Sequence, residues 1–200
     1  MNADFYNTIT GASTAEFKDR GSRFIAFTYP INNTEDFKIH RARLKKEHPK
    51  ANHHCFAYRL GVDGTNFRVS DDGEPSGSAG RPILGQIDTN QLTNMLIIVV
   101  RYFGGTLLGV PGLINAYKTA AALAIGQTSI IQKPVLIPIR LQFDYMHMND
   151  VMKLLKQYDC IIGKQELQLF CLIEAGIPKN ISMQLLSELK EINGVEVKGM

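Results

Sequence analysis

The apolar positions of this chain fall into two successive patterns. SRFIAFT (22–28) reads as a first strand. Asn33-Thr34-Glu35-Asp36 supplies a capping residue followed by acids. It predicts a helix with Phe37, Arg41 and Leu44 along one stripe, ending before Pro49. HCFAYRL (54–60) and FRVS (67–70) predict two strands joined by a hairpin-type turn around Asp63-Gly64. SDDGEPSGSAGRP (70–82) excludes regular structure until about Ile83, because glycine, proline, serine and acids dominate it. MLIIVV (95–100) is a continuous apolar run, which predicts a central strand covered on both faces. From Leu113 onward, Leu113, Tyr117, Ala120 and Ala124 recur at helical spacing, and the alanines suit close packing on a sheet.

After Pro134 the pattern restarts. Ile137, Ile139, Leu141 and Phe143 alternate with polar residues and Pro138, so this strand is half-buried and its proline belongs at an edge or bulge. Val151, Leu154, Leu155 and Tyr158 share one helical face. Strands near 160–164 and 167–173 follow, then a helix bearing Ile181, Leu185, Leu189 and Ile192, then VEVKG. The order β-α-β-β-α-β is the ferredoxin-like arrangement. The fold class predicted is therefore α+β. Residues 1–133 form an α/β-type N-terminal domain and residues 134–200 a ferredoxin-like one. The second half carries no catalytic motif and reads as a packing or docking module.

Composition changes this picture little: 44% hydrophobic and 20% charged residues predict a folded, soluble protein. No apolar run is long enough to span a membrane, and MNADFYNTIT lacks the basic and apolar regions of a signal peptide. Three cysteines without metal-type spacing suit a reducing cytoplasm. The net charge of +3 is mild but uneven, since KIHRARLKKEHPK (38–50) holds six Lys/Arg and one Glu. A solvated helix face explains such a run, and so does a surface for nucleic acid or an acidic partner.

Four candidate chemistries stand in the first half. RYFGGTLLGVPGLINAY (101–117) places glycines between a strand and a helix, without the P-loop or dinucleotide pattern. Backbone N–H groups there could attract an anion, flanked by Arg101 and Lys118; a sharp turn with close packing is the other reading. Asp71, Asp72 and Glu74 could serve as metal ligands or acid/base groups, or they could cap their own loop. Adjacent aspartates on an extended chain point in opposite directions. Ser76 and Ser78 lack a nucleophile-elbow context. His54 faces opposite to His53 and Cys55, and a zinc site would need ligands from elsewhere.

SRFIA (22–26), ANHHCFAY (51–58), SDDGEPSGSAGRPIL (70–84) and RYFGGTLLGVPGLINAY resemble, in order, the successive motifs of the YigZ/IMPACT family. The resemblance covers most of residues 20–125. It implies an N-terminal fold shared with small-subunit ribosomal proteins and the tip domain of elongation factor G. The ferredoxin-like half would resemble that factor's last domain. Eukaryotic relatives regulate translation by competing for the activator of a kinase that phosphorylates an initiation factor. Bacterial members are assigned a nucleic-acid or ribosome-related role by fold analogy. Three positions depart from the family's usual glycine loop: Leu107 stands for its lysine, Pro111 for a glycine and Asn115 for its arginine.

The resulting expectation is a noncatalytic, cytoplasmic, translation-associated regulator, with RNA, the ribosome or a regulatory protein as partner and no cofactor, metal or membrane. Its nucleic-acid or anion site would comprise Arg101, Tyr102, Gly104, Gly105, Arg81, Arg23, Lys118, Lys45 and Lys46. Asp71, Asp72, Gly73, Glu74 and His54 would shape the adjoining loop, with Arg101 and Tyr102 both beside it. Two alternatives remain open. One is an enzyme for a small anionic substrate, with Asp72 or Glu74 as base and His54 as its partner. The other is a protein–protein regulator acting through the C-terminal half.

Overall fold

The computed structural model describes residues 4–199. These divide into two compact units, residues 6–133 and residues 134–199 with 4–5. Residues 1–3 and 200, included in the two expected spans, lie outside the described residues. The architecture is α+β.

The first unit is built on a five-stranded sheet. Its strands are β2 (Ser13–Asp19), β3 (Ser22–Pro30), β4 (His53–Leu60), β5 (Asn66–Ser70) and β6 (Met95–Tyr102), in the order β2-β3-β6-β4-β5. All pairs are antiparallel, and β6 lies at the centre. The continuous apolar run 95–100 is explained by cover on both faces. Leu96, Ile98 and Val100 join Phe37 and Leu44 of helix α1 (Thr34–Glu47). Met95, Ile97 and Val99 join α2 (Gly80–Thr89) and α3 (Gly109–Ile125) on the other side. Helix α1 starts where its sequence says: Asn33 Oδ1 accepts from the N–H groups of Glu35 and Asp36 at 2.8 and 3.0 Å. Ala116, Ala120, Ala121 and Ala124 are fully buried and bring α3 close to the sheet.

Three features differ from the expectation. Strands β1 (Phe5–Ile9), β7 (Ile130–Pro134) and β2 were not anticipated; β1 pairs with β7 across more than a hundred residues, and its Asn7 also bridges Leu92. Helix α2 begins at Gly80, inside the stretch expected to be irregular. Helix α3 begins at Gly109, four residues before Leu113. Pro82 and Pro111 both sit in a helix's first turn, where a missing N–H costs nothing.

In the second unit, β8 (Leu136–Asp144), α4 (Met148–Gln157), β9 (Ile161–Leu167), β10 (Phe170–Pro178), α5 (Ser182–Glu191) and β11 (Glu196–Gly199) follow in βαββαβ order. The sheet order β11-β8-β10-β9 is that of the ferredoxin-like fold. Pro138 pairs with Gly176 on one side and lies beyond the reach of β11, which meets only 139–142.

Candidate functional site

The loop between β5 and α2 is organised by Asp71. Its carboxylate accepts from the backbone N–H groups of Gly77, Ala79 and Gly80 at 2.9, 3.0 and 2.8 Å. It therefore caps α2 from nine residues upstream, in place of Ala79, which offers no side-chain cap. Burial alone would raise its pKa, but the bonds from Gly77, Gly80 and Ala79 hold it below the ordinary carboxylate value. Asp72 turns the other way. It has a left-handed φ of 44°, accepts from the His54 N–H at 2.8 Å and lies 3.7 Å from Arg41 of α1. Gly73, at φ 92°, completes this turn.

Glu74 folds back under the loop, and its side chain is 4% exposed. Its Oε1 accepts from Arg101 Nη1 at 2.6 Å and from the Tyr117 hydroxyl at 2.7 Å, and lies 3.8 Å from His53 Nε2. His53 Nδ1 lies 2.9 Å from the Asp72 carbonyl, which can only accept, so this nitrogen carries the proton. Cys55 Sγ lies 3.3 Å from the Tyr117 oxygen and 2.9 Å from the Asp71 carbonyl. Burial pushes the Cys55 thiol and the Tyr117 phenol well above their ordinary values, so neither is a nucleophile or base at neutral pH. The Arg101 guanidinium is held between the rings of Phe24 and Phe103, at 5.3 and 5.6 Å. Arg101 is only 5% exposed.

What the glycine loop approaches is the protein's own backbone. A Cβ on Gly104 would lie 1.9 Å from the Gly21 carbonyl carbon and 2.2 Å from the Ser22 nitrogen. The Gly104 N–H donates to Ser22 Oγ, and the Phe103 N–H to Asn52 Oδ1, at 3.1 and 2.8 Å. Two of the loop's donors are thus already used. Gly105 is exposed at φ 87°. Leu107, at 82% exposure, presents an apolar tip where a cation was the alternative.

The expected site residues divide between the two faces of the sheet. Arg101, with Glu74, lies on the α2/α3 face, and Arg81 and Lys118 are exposed on those two helices. Tyr102 lies on the α1 face, a correction to its expected place beside the 70–80 loop. Successive strand residues point to opposite sides, and its hydroxyl meets His48 Nδ1 at 2.9 Å. Arg23 shares that face, paired with Glu16 at 2.7 Å and 5.8 Å from the Tyr102 ring centre. Lys45 and Lys46 are exposed in the last turn of α1, where cations also suit the helix dipole. Among the described residues, neither they nor Lys50 form an ion pair, whereas Lys38, Arg41 and Arg43 pair with Glu35, Asp72 and Glu47.

His54 is also corrected as an acid/base partner. Its ring is on the α1 face, away from Glu74; Asp72 binds its backbone rather than its imidazole. Burial lowers its pKa, and its Nε2 has no hydrogen-bond partner among the described residues. The histidine that does approach Glu74 is His53, and strand alternation already placed it with Cys55. Asp71, Asp72 and Glu74 do not converge, and no cluster of His, Cys, Asp or Glu among the described residues is arranged to hold a metal.

In the second unit, the sheet face opposite the helices carries an Arg140–Glu174 pair at 2.8 Å and a Lys164–Glu166 pair at 2.5 Å beside exposed Ile161 and Phe170. Exposed apolar side chains also gather near the β9–β10 turn. Leu169 and Phe170 lie beside Tyr145, whose N–H donates to the Leu169 carbonyl at 3.1 Å. No helix among the described residues is long and apolar enough to cross a membrane.

A two-unit α+β protein, with a glycine loop seated on a strand turn and a carboxylate-capped loop latched to the central strand, is the class these features define. The Impact N-terminal domain model matches residues 20–125, and the chain belongs to the IMPACT family. It is 36% identical over 159 residues to IMPACT family member YigZ of Escherichia coli, covering 78% of each chain. To an IMPACT family member of Haemophilus influenzae it is 35% identical, over 85% of this chain and 84% of that one. Among solved structures it matches the crystal structure of a hypothetical protein with a TM-score of 0.79 and 29% identity, covering 99% and 98% of the two chains.

Proposed function

We propose that this chain is a noncatalytic, cytoplasmic regulator associated with translation, which binds RNA or the ribosome through its first unit. Family membership supports the regulatory role, since the resemblance implies it for eukaryotic relatives. The observation that carries RNA binding is the trio Lys45, Lys46 and Lys50, exposed at one end of α1 without ion partners among the described residues. The acids favour a noncatalytic reading. Asp71, Asp72 and Glu74 are each committed to partners within the chain, so none is left facing solvent as a base.

The test is binding of purified RNA and ribosomal subunits across a salt series. Affinity is expected to fall steeply with salt, by a log–log slope of ~0.7 per single-strand phosphate contact. Absence of binding at low salt contradicts the reading. The apolar side chains near the β9–β10 turn favour a second reading, a protein partner for the C-terminal unit. Under that reading, Leu169→Ser/Phe170→Ser weakens subunit binding and leaves the affinity for naked RNA unchanged.

A further inference from the structure

One helix cannot cover a five-stranded sheet. On its α1 side, β2 presents Thr14, Glu16 and Lys18, β3 presents Arg23, Ile25 and Phe27, and β6 presents Val100 and Tyr102. Val100 and Ile98 are fully buried, Ile25, Phe27 and Tyr102 only half-buried, and Thr14, Glu16, Lys18 and Arg23 exposed. The cover therefore ends between β6 and β2, leaving a strip of open sheet.

His48 marks the border. As the C-cap of α1 it bonds the Tyr102 hydroxyl, and its ring centre lies 5.5 Å from that of Phe27 and 6.1 Å from that of Tyr102. Three half-buried rings thus stand together along the strip. Lys18 and Arg23 flank them on one side, with Arg20 in the β2–β3 turn. On the α1 side, Arg43 reaches β3, donating to the Tyr29 hydroxyl at 2.9 Å, and Lys45, Lys46 and Lys50 are exposed at the C-terminal end of α1, beyond His48's border with the strip. The acids on these elements are Glu16, which pairs with Lys18 and Arg23, Asp19, Glu35 and Asp36 at the far end of α1, and Glu47, which pairs with Arg43. Cations outnumber acids along the strip, which suits a polyanion.

We infer that this strip binds single-stranded RNA, with bases stacked on Tyr102 and Phe27 and phosphates held by the flanking cations. The inference rests on the RNA-binding reading above and narrows it. Cations alone attract any nucleic acid. Rings on an open sheet face discriminate, because only unpaired bases can leave their own stack to lie on them. A duplex would meet the lysines and leave the rings unused.

The experiment is fluorescence anisotropy of the full-length protein with a labelled ten-nucleotide single strand and with the duplex of the same sequence. Wild type, Tyr102→Leu, Phe27→Leu and Lys45→Ala/Lys46→Ala are compared, each after a melting curve shows native stability. The single strand is expected to bind more tightly than the duplex. Each ring substitution should weaken single-strand binding about tenfold and leave the duplex unchanged. The lysine pair should weaken both. Should one ring variant fail to fold, the other carries the test. Equal affinity for both ligands, or wild-type single-strand binding by a folded ring variant, overturns the inference while RNA binding stands. Binding to neither ligand at low salt overturns the RNA reading too. Retention by ribosomal subunits without oligonucleotide binding assigns the strip to protein, which also overturns it.

Discussion

The two faces of the five-stranded sheet use their polar side chains in opposite ways. On the α2/α3 face, Arg101, Glu74, Tyr117, Cys55 and Asp71 bond to one another and to backbone, and Arg101 and Glu74 are almost fully enclosed. On the α1 face, Arg23 and Tyr102 remain exposed or half-buried along an uncovered strip, and Lys45 and Lys46 are exposed at the end of α1. The motif-rich face is thus the better satisfied one. A buried polar group must be paired, so a dense set of polar chemistry inside a domain reads first as a latch. Groups free to meet a partner lie where the sequence is plainer.

The largest effects should come from breaking the latch. Arg101→Met leaves Glu74 buried without its cation, and about 3–5 kcal/mol of stability is expected to be lost in chemical denaturation. Glu74→Gln in the same chain should restore part of that loss; additive losses would show that the two do not act as a pair. Gly104→Ala comes next, at about 2–3 kcal/mol, because its Cβ has backbone rather than a flexible side chain in its way. A variant as stable as wild type would mean that the loop can move off the β2–β3 turn freely.

Asp71→Asn is expected to cost about 1.5 kcal/mol at neutral pH, by weakening charge-assisted bonds to three N–H groups. The direction of its pH dependence follows from the lowered pKa. The folded carboxyl is depressed, so its contribution is present above the unfolded value of about 4 and is lost as pH falls through the folded one. Acid titration of stability should therefore be flatter below pH 4 in the variant than in wild type. Parallel curves would place the acid sensitivity elsewhere.

Much of the fold was legible because its signals are local. Asn33 and Pro49 bracket α1, the run 95–100 announces a strand covered on both sides, and the βαββαβ order of the second unit sets its class. The misses were long-range. Strands β1 and β7 pair across more than a hundred residues, and α2 is capped by Asp71 from outside its own sequence neighbourhood. Strand β2 alternates Ser13, Ala15 and Phe17 with Thr14, Glu16 and Lys18, but small residues under α3 made its inner face faint.

The candidate site was legible in part. Glycines and acids implied that the two loops meet, and Arg101 does reach Glu74. Their enclosure could not be read, because solvent access depends on Phe24 and Tyr117 packing from other elements. The facing of Tyr102 could have been read, since period-two alternation separates it from Arg101.

The smallest effects on stability, and the most informative on function, come from exposed cations. The decisive measurement is single-stranded RNA affinity at fixed salt for Lys45→Ala/Lys46→Ala beside Arg81→Ala/Lys118→Ala. All four residues are exposed, and both variants are expected to melt within about 0.5 kcal/mol of wild type. The α1 pair should lower affinity severalfold and reduce the salt slope by ~1.4 for two lost phosphate contacts, while the α2/α3 pair leaves both unchanged. The reverse result would return the binding surface to the glycine-loop face and contradict the division of roles between the two sides of the sheet.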